Sequence, residues 1–265
     1  MKKIITLSLA LIMLVSGVLA FSSCAKKENK LIVGYTLYEP MNYMDGDELV
    51  GFDTELARAV AEKLSMEIEF KEIEWKNKYL ELESGSVTCL WNGFTSNCAD
   101  DDGIQRSDKV DFSKAYMKNE KCVVVRKAED ADTLNTKEAI ADKLGAAEDG
   151  SAGEGVVKGF LKDEKNYVGC SAQTSTLTEL MGKKVDFVVI DKTMAKTLIG
   201  KGDYASLAIV DSIEIEAEEY SIGFKKGSDL TAKVNDALKE LADDGTMKKL
   251  ADKYGLGNYV ITSFN

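Results

Sequence analysis

The chain has 265 residues, enough for one large domain or two lobes with real cores, and its 45% hydrophobic and 30% charged residues describe a folded soluble protein. With 45 acidic against 34 basic residues, a net charge of −11 and no lysine-arginine stripe, nucleic acid and anionic membrane surfaces are poor partners. There is no histidine, which removes Ser-His-Asp and Cys-His nucleophile chemistry and the commonest zinc ligand.

Met1-Lys2-Lys3 is a basic start, residues 4–20 are mainly apolar, and Phe21-Ser22-Ser23-Cys24 precedes a charged run. This order predicts a secretory signal peptide over residues 1–23; an apolar run of this length would also serve as a short membrane anchor. A cysteine directly after two serines resembles a bacterial lipobox, with Cys24 lipidated and the chain held at the outer face of the cell membrane, or else free in the periplasm. Phe21 departs from the leucine-like aliphatic usual at its place. Of the remaining cysteines, Cys89, Cys98, Cys122 and Cys170, an exported chain permits disulfides. Three of them sit in or beside apolar strand-like runs, where free cysteine packs as a small hydrophobe, so buried thiols are favoured. No CxxC spacing points to a metal.

Leu31-Ile32-Val33-Gly34-Tyr35 reads as a first buried strand, and Asp45-Gly46 as a turn. Gly51-Phe52-Asp53 opens a helix, Asp53 being a candidate cap, with Leu56, Ala57, Val60, Ala61 and Leu64 on one face. Met66, Ile68 and Phe70 alternate with charged residues as a strand. After Trp75 a short helix carries Tyr79, Leu80 and Leu82 and stops near Gly85. The next strand breaks at Asn92-Gly93, carries Thr95, crosses a polar loop to Arg106 and re-enters a strand at 110–113. This β-α-β-α-β order predicts a parallel sheet with right-handed crossovers. A second α/β unit follows: a strand at 122–126, a helix over 134–144, a short strand Gly145-Ala146-Ala147, and a helix opened by residues 148–153. Another helix ends at 178–181, before a buried strand, 185–191, that finishes on Asp191. Residues 220–224 are strand-like. The C-terminal part is helical, with Leu230, Val234, Leu238 and Leu241 on one face, a stop at Asp243-Asp244-Gly245, and Met247, Leu250, Ala251 and Tyr254 beyond it.

The stretch 90–113 is the most suggestive chemically. Its lone arginine, Arg106, is a fork for a carboxylate, because guanidinium matches carboxylate geometry with two parallel hydrogen bonds and stays charged. The alternative is a surface pair with Asp108 or Asp111. Asp100-Asp101-Asp102 lacks the alternate carboxylate spacing of a calcium loop and reads as a solvated loop.

These residues in this order resemble the amino-acid-binding family of bacterial ABC-transporter solute-binding proteins. The marks are Tyr38-x-Pro40, VGFD and its helix, Trp75 with a short helix ending ESGSV, WNGFT, Arg106 before DFS, LGAAEDGSAGE, KVDFVVID and LADDGTMKKLADKYGL. The resemblance implies a two-lobed α/β periplasmic-binding-protein fold of type II, with parallel-type sheets, helices on both faces and two hinge strands. Lobe 1 would be residues 25–117 plus 222–265 and lobe 2 residues 122–217, with crossings near 118–121 and 218–221. The ligand sits in the cleft, where strand ends and helix N-termini converge.

The implied function is capture of a free amino acid outside the cytoplasm, polar or neutral favoured, by a monomer that delivers it to an ABC permease. No cofactor, metal or catalysis is implied. The other reading is an exported dehydratase of prephenate or arogenate type on the same scaffold, for which no acid over a substrate ring singles itself out. By the same resemblance Arg106 takes the ligand's carboxylate and Asp191 its ammonium, Asp191 being alternatively a helix cap. Ser151 and Ala152 offer free amides at a helix N-terminus, or only a cap and turn. Tyr38 and Trp75 sandwich the ligand side chain, or are core. Asn92, Gly93 and Thr95 form the polar edge. Thr36 stands where binders of basic amino acids have an acid, which argues against arginine or lysine, while Glu39 keeps them open. The loop 96–105 is longer than the family pattern.

Overall fold

The computed structural model describes residues 29–127 and 130–264; the expected signal peptide, residues 1–23, and Cys24 lie outside the described residues. Strand β1 (Lys30–Tyr35) buries Leu31 and Val33 and is followed by a hairpin, β2 (Tyr43–Asp45) and β3 (Glu48–Val50). Helix α1 (Phe52–Lys63) buries Phe52, Leu56, Ala57, Val60 and Ala61, an apolar stripe at helical spacing. Its N-cap is Gly51, not Asp53; Gly51 has φ 122° and lies so close to Met41 that a Cβ would stand 2.2 Å from the Met41 carbonyl oxygen. Asp53 is instead turned inward to other partners. Next come β4 (Glu67–Glu72), a 3-10 turn at Trp75–Asn77, α2 (Lys78–Glu83), β5 (Cys89–Leu90), α3 (Arg106–Lys109) and β6 (Asp111–Phe112).

The chain then runs through β7 (Met117–Asn119) into β8 (Lys121–Arg126). The helix expected over 134–144 is only one turn, α4 (Lys137–Ile140), capped by the Thr136 hydroxyl. Leu134, Ile140 and Ala141 are buried but Leu144 is 41% exposed, so no apolar stripe sustains further turns. There follow β9 (Gly145–Glu148), α5 (Ala152–Phe160), β10 (Tyr167–Cys170), α6 (Gln173–Met181), β11 (Phe187–Asp191), α7 (Lys192–Leu198) and β12 (Leu207–Val210). The chain ends with β13 (Glu218–Tyr220), β14 (Gly223–Phe224), α8 (Leu230–Asp243) and α9 (Thr246–Lys253). Gly245, at φ 80°, makes the break between the last two helices.

Two five-stranded sheets result, ordered β4-β1-β5-β14-β6 and β10-β9-β11-β8-β12, with β13 and β7 as an antiparallel ribbon between them. Parallel pairing holds for β4-β1-β5 and for β10-β9-β11. The sheets are nevertheless mixed. Strand β14 runs antiparallel to β5 and β6, and β8 antiparallel to β11 and β12. The reason is connectivity: these strands continue from the ribbon as extended chain, without the helical crossover that parallel neighbours need. In the second sheet alternate residues divide between two cores. Val123, Val125, Ala147 and Val189 pack with Val157 of α5, whereas Val124, Ala146, Val188 and Ile190 pack with Leu177 and Leu180 of α6. Helices therefore cover both faces. Cys89, Cys98, Cys122 and Cys170 are free thiols, the first, third and fourth buried.

Candidate functional site

Strand β5 ends at Leu90, and the segment after it is held by buried polar groups. Asn92 donates from Nδ2 to the Thr36 carbonyl and to Asn42 Oδ1, both at 2.8 Å, and accepts from the Thr36 hydroxyl at 2.7 Å. The Gly93 amide donates to Asp53 Oδ2 at 2.8 Å, and the Tyr116 hydroxyl donates to the same oxygen at 2.9 Å. Burial pushes the Asp53 carboxyl up to about 7, against the Gly93 amide, Tyr116 and Trp91, which pull it down. Gly93 has φ 56°, and a Cβ there would stand 2.8 Å from the Tyr38 ring and 3.0 Å from Tyr220, so only glycine fits. The Thr95 hydroxyl donates to Glu218 Oε2 at 2.9 Å.

Arg106 opens α3 and is 1% exposed. Its Nε donates to Asp100 Oδ1 (2.7 Å), one terminal nitrogen to the Thr95 carbonyl (3.1 Å) and the other to the Gly150 carbonyl (3.2 Å). The guanidinium lies 5.2 Å over the Phe94 ring. Its acidic partner is Asp100, not Asp108 or Asp111. Asp100 also accepts from Tyr79 and Lys109. Burial would raise the Asp100 carboxyl, but Arg106, Tyr79 and Lys109 outweigh it and hold it at about 2. Lys78 brings a second buried cation to the Gly150 carbonyl (2.8 Å); burial and then the Arg106 charge lower its ammonium to about 8.

Asp191 ends β11 across from these cations. It occupies the N-cap position of α7 yet makes no side-chain cap bond. Its Oδ1 takes Lys121 Nζ at 2.6 Å and Asn119 Nδ2 at 3.0 Å, and its Oδ2 takes Gln173 Nε2 at 2.5 Å. Lys121 and Asn119 also reach Glu218 Oε1, at 3.0 and 2.6 Å. Burial works against charge in this cluster, yet Asp191 is lowered and Lys121 raised by their mutual attraction. Glu218, farther from the lysine and close to Asp191, is raised. Glu148, at the end of β9, is 3% exposed, and its Oε1 has no hydrogen-bond partner.

These groups surround a small, partly open cavity of about 10 Å³, about one water molecule. It is lined by Trp75, Asn92, Gly93, Thr95 and Arg106 from the side of the first sheet, and by Ser151, Ala152 and Asp191 from the second. Of the nine residues given a ligand-binding role from sequence, only Tyr38 is not on its wall, and neither Thr36 nor Glu39 is. The Tyr38 ring packs behind Gly93, and its hydroxyl bonds Thr193 at 2.5 Å and Tyr220 at 2.9 Å. Trp75, 4% exposed, stacks edge-on against Phe94 as well as lining the cavity. Ser151 does cap α5, its hydroxyl accepting from the Glu154 amide (3.3 Å), and it also lines the cavity. Lys121, Glu148 and Gln173 line the cavity and were not singled out. The available signal for Glu148 was an acid ending an apolar strand, the feature that marked Asp191.

A sequence model described as bacterial extracellular solute-binding proteins, family 3, matches residues 31–257. The arginine-binding extracellular protein ArtP of Bacillus subtilis is 29% identical over 87% of this chain and 88% of its own length. The probable amino-acid-binding protein YxeM of the same species is 30% identical, over 88% of this chain and 86% of its own. Among solved structures, an ancestral arginine-binding protein bound to glutamine superposes with a TM-score of 0.77 at 30% identity, covering 86% of this chain and 98% of that one.

Proposed function

Because the chain belongs to family 3 of the bacterial extracellular solute-binding proteins, we propose that it captures a free amino acid outside the cytoplasm and delivers it to the permease of an ABC importer. One observation carries this reading: buried cations converge at one end of the cavity and buried carboxylates at the other. Arg106, with a donor left on each terminal nitrogen, takes the α-carboxylate together with the first-turn amides of α5, whose Ala152 lies past the Ser151 cap. Asp191 takes the α-ammonium, Thr95 and the Asn92-Gly93 backbone complete that edge, and Trp75 packs on the side chain. Tyr38 acts from behind Gly93. The lobes are residues 25–117 plus 222–265 and residues 122–217, an assignment supported by the separate sheets and by the β7–β13 ribbon at the two crossings. Closure about that ribbon buries the ligand. The protein binds as a monomer and leaves its ligand unchanged. Residues 1–23 direct export and Cys24 carries the lipid anchor.

The test is a thermal-shift screen of the purified protein against the twenty amino acids plus cystine and ornithine, with the ligand recovered intact. A ligand at 100 times its Kd should stabilise the fold by about 2.7 kcal/mol, a rise of roughly 5–10 °C. If no compound moves the midpoint, the reading fails; consumption of a compound would favour an enzyme.

A further inference from the structure

We propose that Glu148 reads the side chain of the captured amino acid, and that this side chain carries a cationic hydrogen-bond donor such as a guanidinium, an ammonium or an imidazolium. The proposal rests on the reading of the cleft as an amino-acid site. It starts from a buried atom: Glu148 lines the cavity, and its Oε1 is shielded from water and has no hydrogen-bond partner. An unsatisfied buried carboxylate oxygen is costly, and the cost is relieved by a donor arriving from outside.

The charges of the site divide into two groups. At the end marked by Gly150, Arg106 and Lys78 face one acid on the cavity side, Asp100. The Lys109–Asp102 pair lies farther out, with Asp102 half exposed. That end carries one positive charge in excess, which the ligand's carboxylate cancels. At the other end stand Asp191, Glu218 and Glu148, with Lys121 the single cation among them. With all three carboxyls ionised, that end would carry two negative charges in excess. The α-ammonium cancels one. The second calls for a further positive charge on the ligand, and Glu148 is the carboxylate left for it, because Lys121 is committed to Asp191 at 2.6 Å and to Glu218 at 3.0 Å. Lys78 is held on the Gly150 carbonyl and compensates Glu148 only at a distance. A zwitterion with a neutral side chain brings Glu148 no counter-charge and leaves it protonated; a basic amino acid supplies the charge against which it ionises.

Position agrees with charge. Glu148 ends β9, beside β11 and its Asp191, and faces Thr36 of the segment after β1.

Titration calorimetry on the wild-type protein and on Glu148→Gln, with L-arginine, L-lysine, L-ornithine, L-histidine, L-glutamine and L-glutamate, tests this. The expected result is tightest wild-type binding of a basic amino acid, weakened by about 30-fold or more in the variant. Wild-type and variant melting curves without ligand verify that the variant is folded. Tightest binding of a neutral or acidic amino acid, or an unchanged affinity in Glu148→Gln, would overturn the proposal while leaving amino-acid capture standing. Failure of every amino acid to bind the wild type would overturn both.

Discussion

Asp53 and Glu148 are carboxyls kept out of water, and their titration should be visible in the stability of the protein. Burial raises Asp53 to about 7, opposed by the Gly93 amide, Tyr116 and Trp91. Burial and then the Asp191 charge raise Glu148 to about 8, opposed by Thr36, Lys121 and Lys78. In the unfolded chain both titrate near 4. The folded state thus holds their protons more tightly. The resulting advantage is complete below the unfolded pKa values, declines as pH rises, and is gone above the folded ones. Asp100, held at about 2, acts below this window. The unliganded protein should therefore lose melting temperature between pH 5 and pH 8, and Glu148→Gln should make the decline shallower. Calorimetric melting across that range is the measurement; a flat or rising profile in the wild type would show that neither carboxyl is desolvated as described.

At the scale of elements, the loop 96–105 matters most. Its length lets Asp100 fold back onto Arg106, and a backbone bond from the Arg106 amide to the Cys98 carbonyl (3.1 Å) sets the start of α3. Arg106→Ala should abolish the thermal shift by ligand and lower the unliganded stability by about 3 kcal/mol, because a buried pair loses one partner. The fold should survive, since Asp100 keeps Tyr79 and Lys109. Circular dichroism and thermal shift on the same sample separate the two effects; a retained ligand shift would remove Arg106 from the site. The strands and helices around this loop were legible where burial imposes a period, as in α1, α8 and the FVVI run of β11. The helix over 134–144 was over-extended because its apolar residues never form a stripe. Asp53 was misread as a cap because its position near a helix start says nothing about which way its side chain turns. Lys121 escaped because its pairing with Asp191 and Glu218 joins residues far apart in sequence, and Glu148 because its mark is a missing partner that only the fold reveals.

At the scale of the whole molecule, contacts across the cleft hold the two sides together. Arg106 and Lys78 share the Gly150 carbonyl, Tyr38 reaches Thr193, and Lys158 of α5 pairs with Asp101 of the long loop. The last pair is on the rim, where Asp101 is half exposed, so its contribution is about 0–1 kcal/mol and screened by salt. Asp101→Asn should raise the ligand's dissociation rate by no more than about fivefold, with the difference vanishing at 1 M salt, as stopped-flow fluorescence would show. A loss much beyond that would mean the rim ion pair governs closure.

The topology also dictates an order of assembly. The second sheet is built wholly from residues between Lys121 and Val210, whereas the first joins β5 to β6 through β14, at Gly223–Phe224. A chain emerging N-terminus first can complete the second sheet while the first still lacks its connecting strand. The Arg106 side of the site is therefore finished last, after the Asp191 side that it faces.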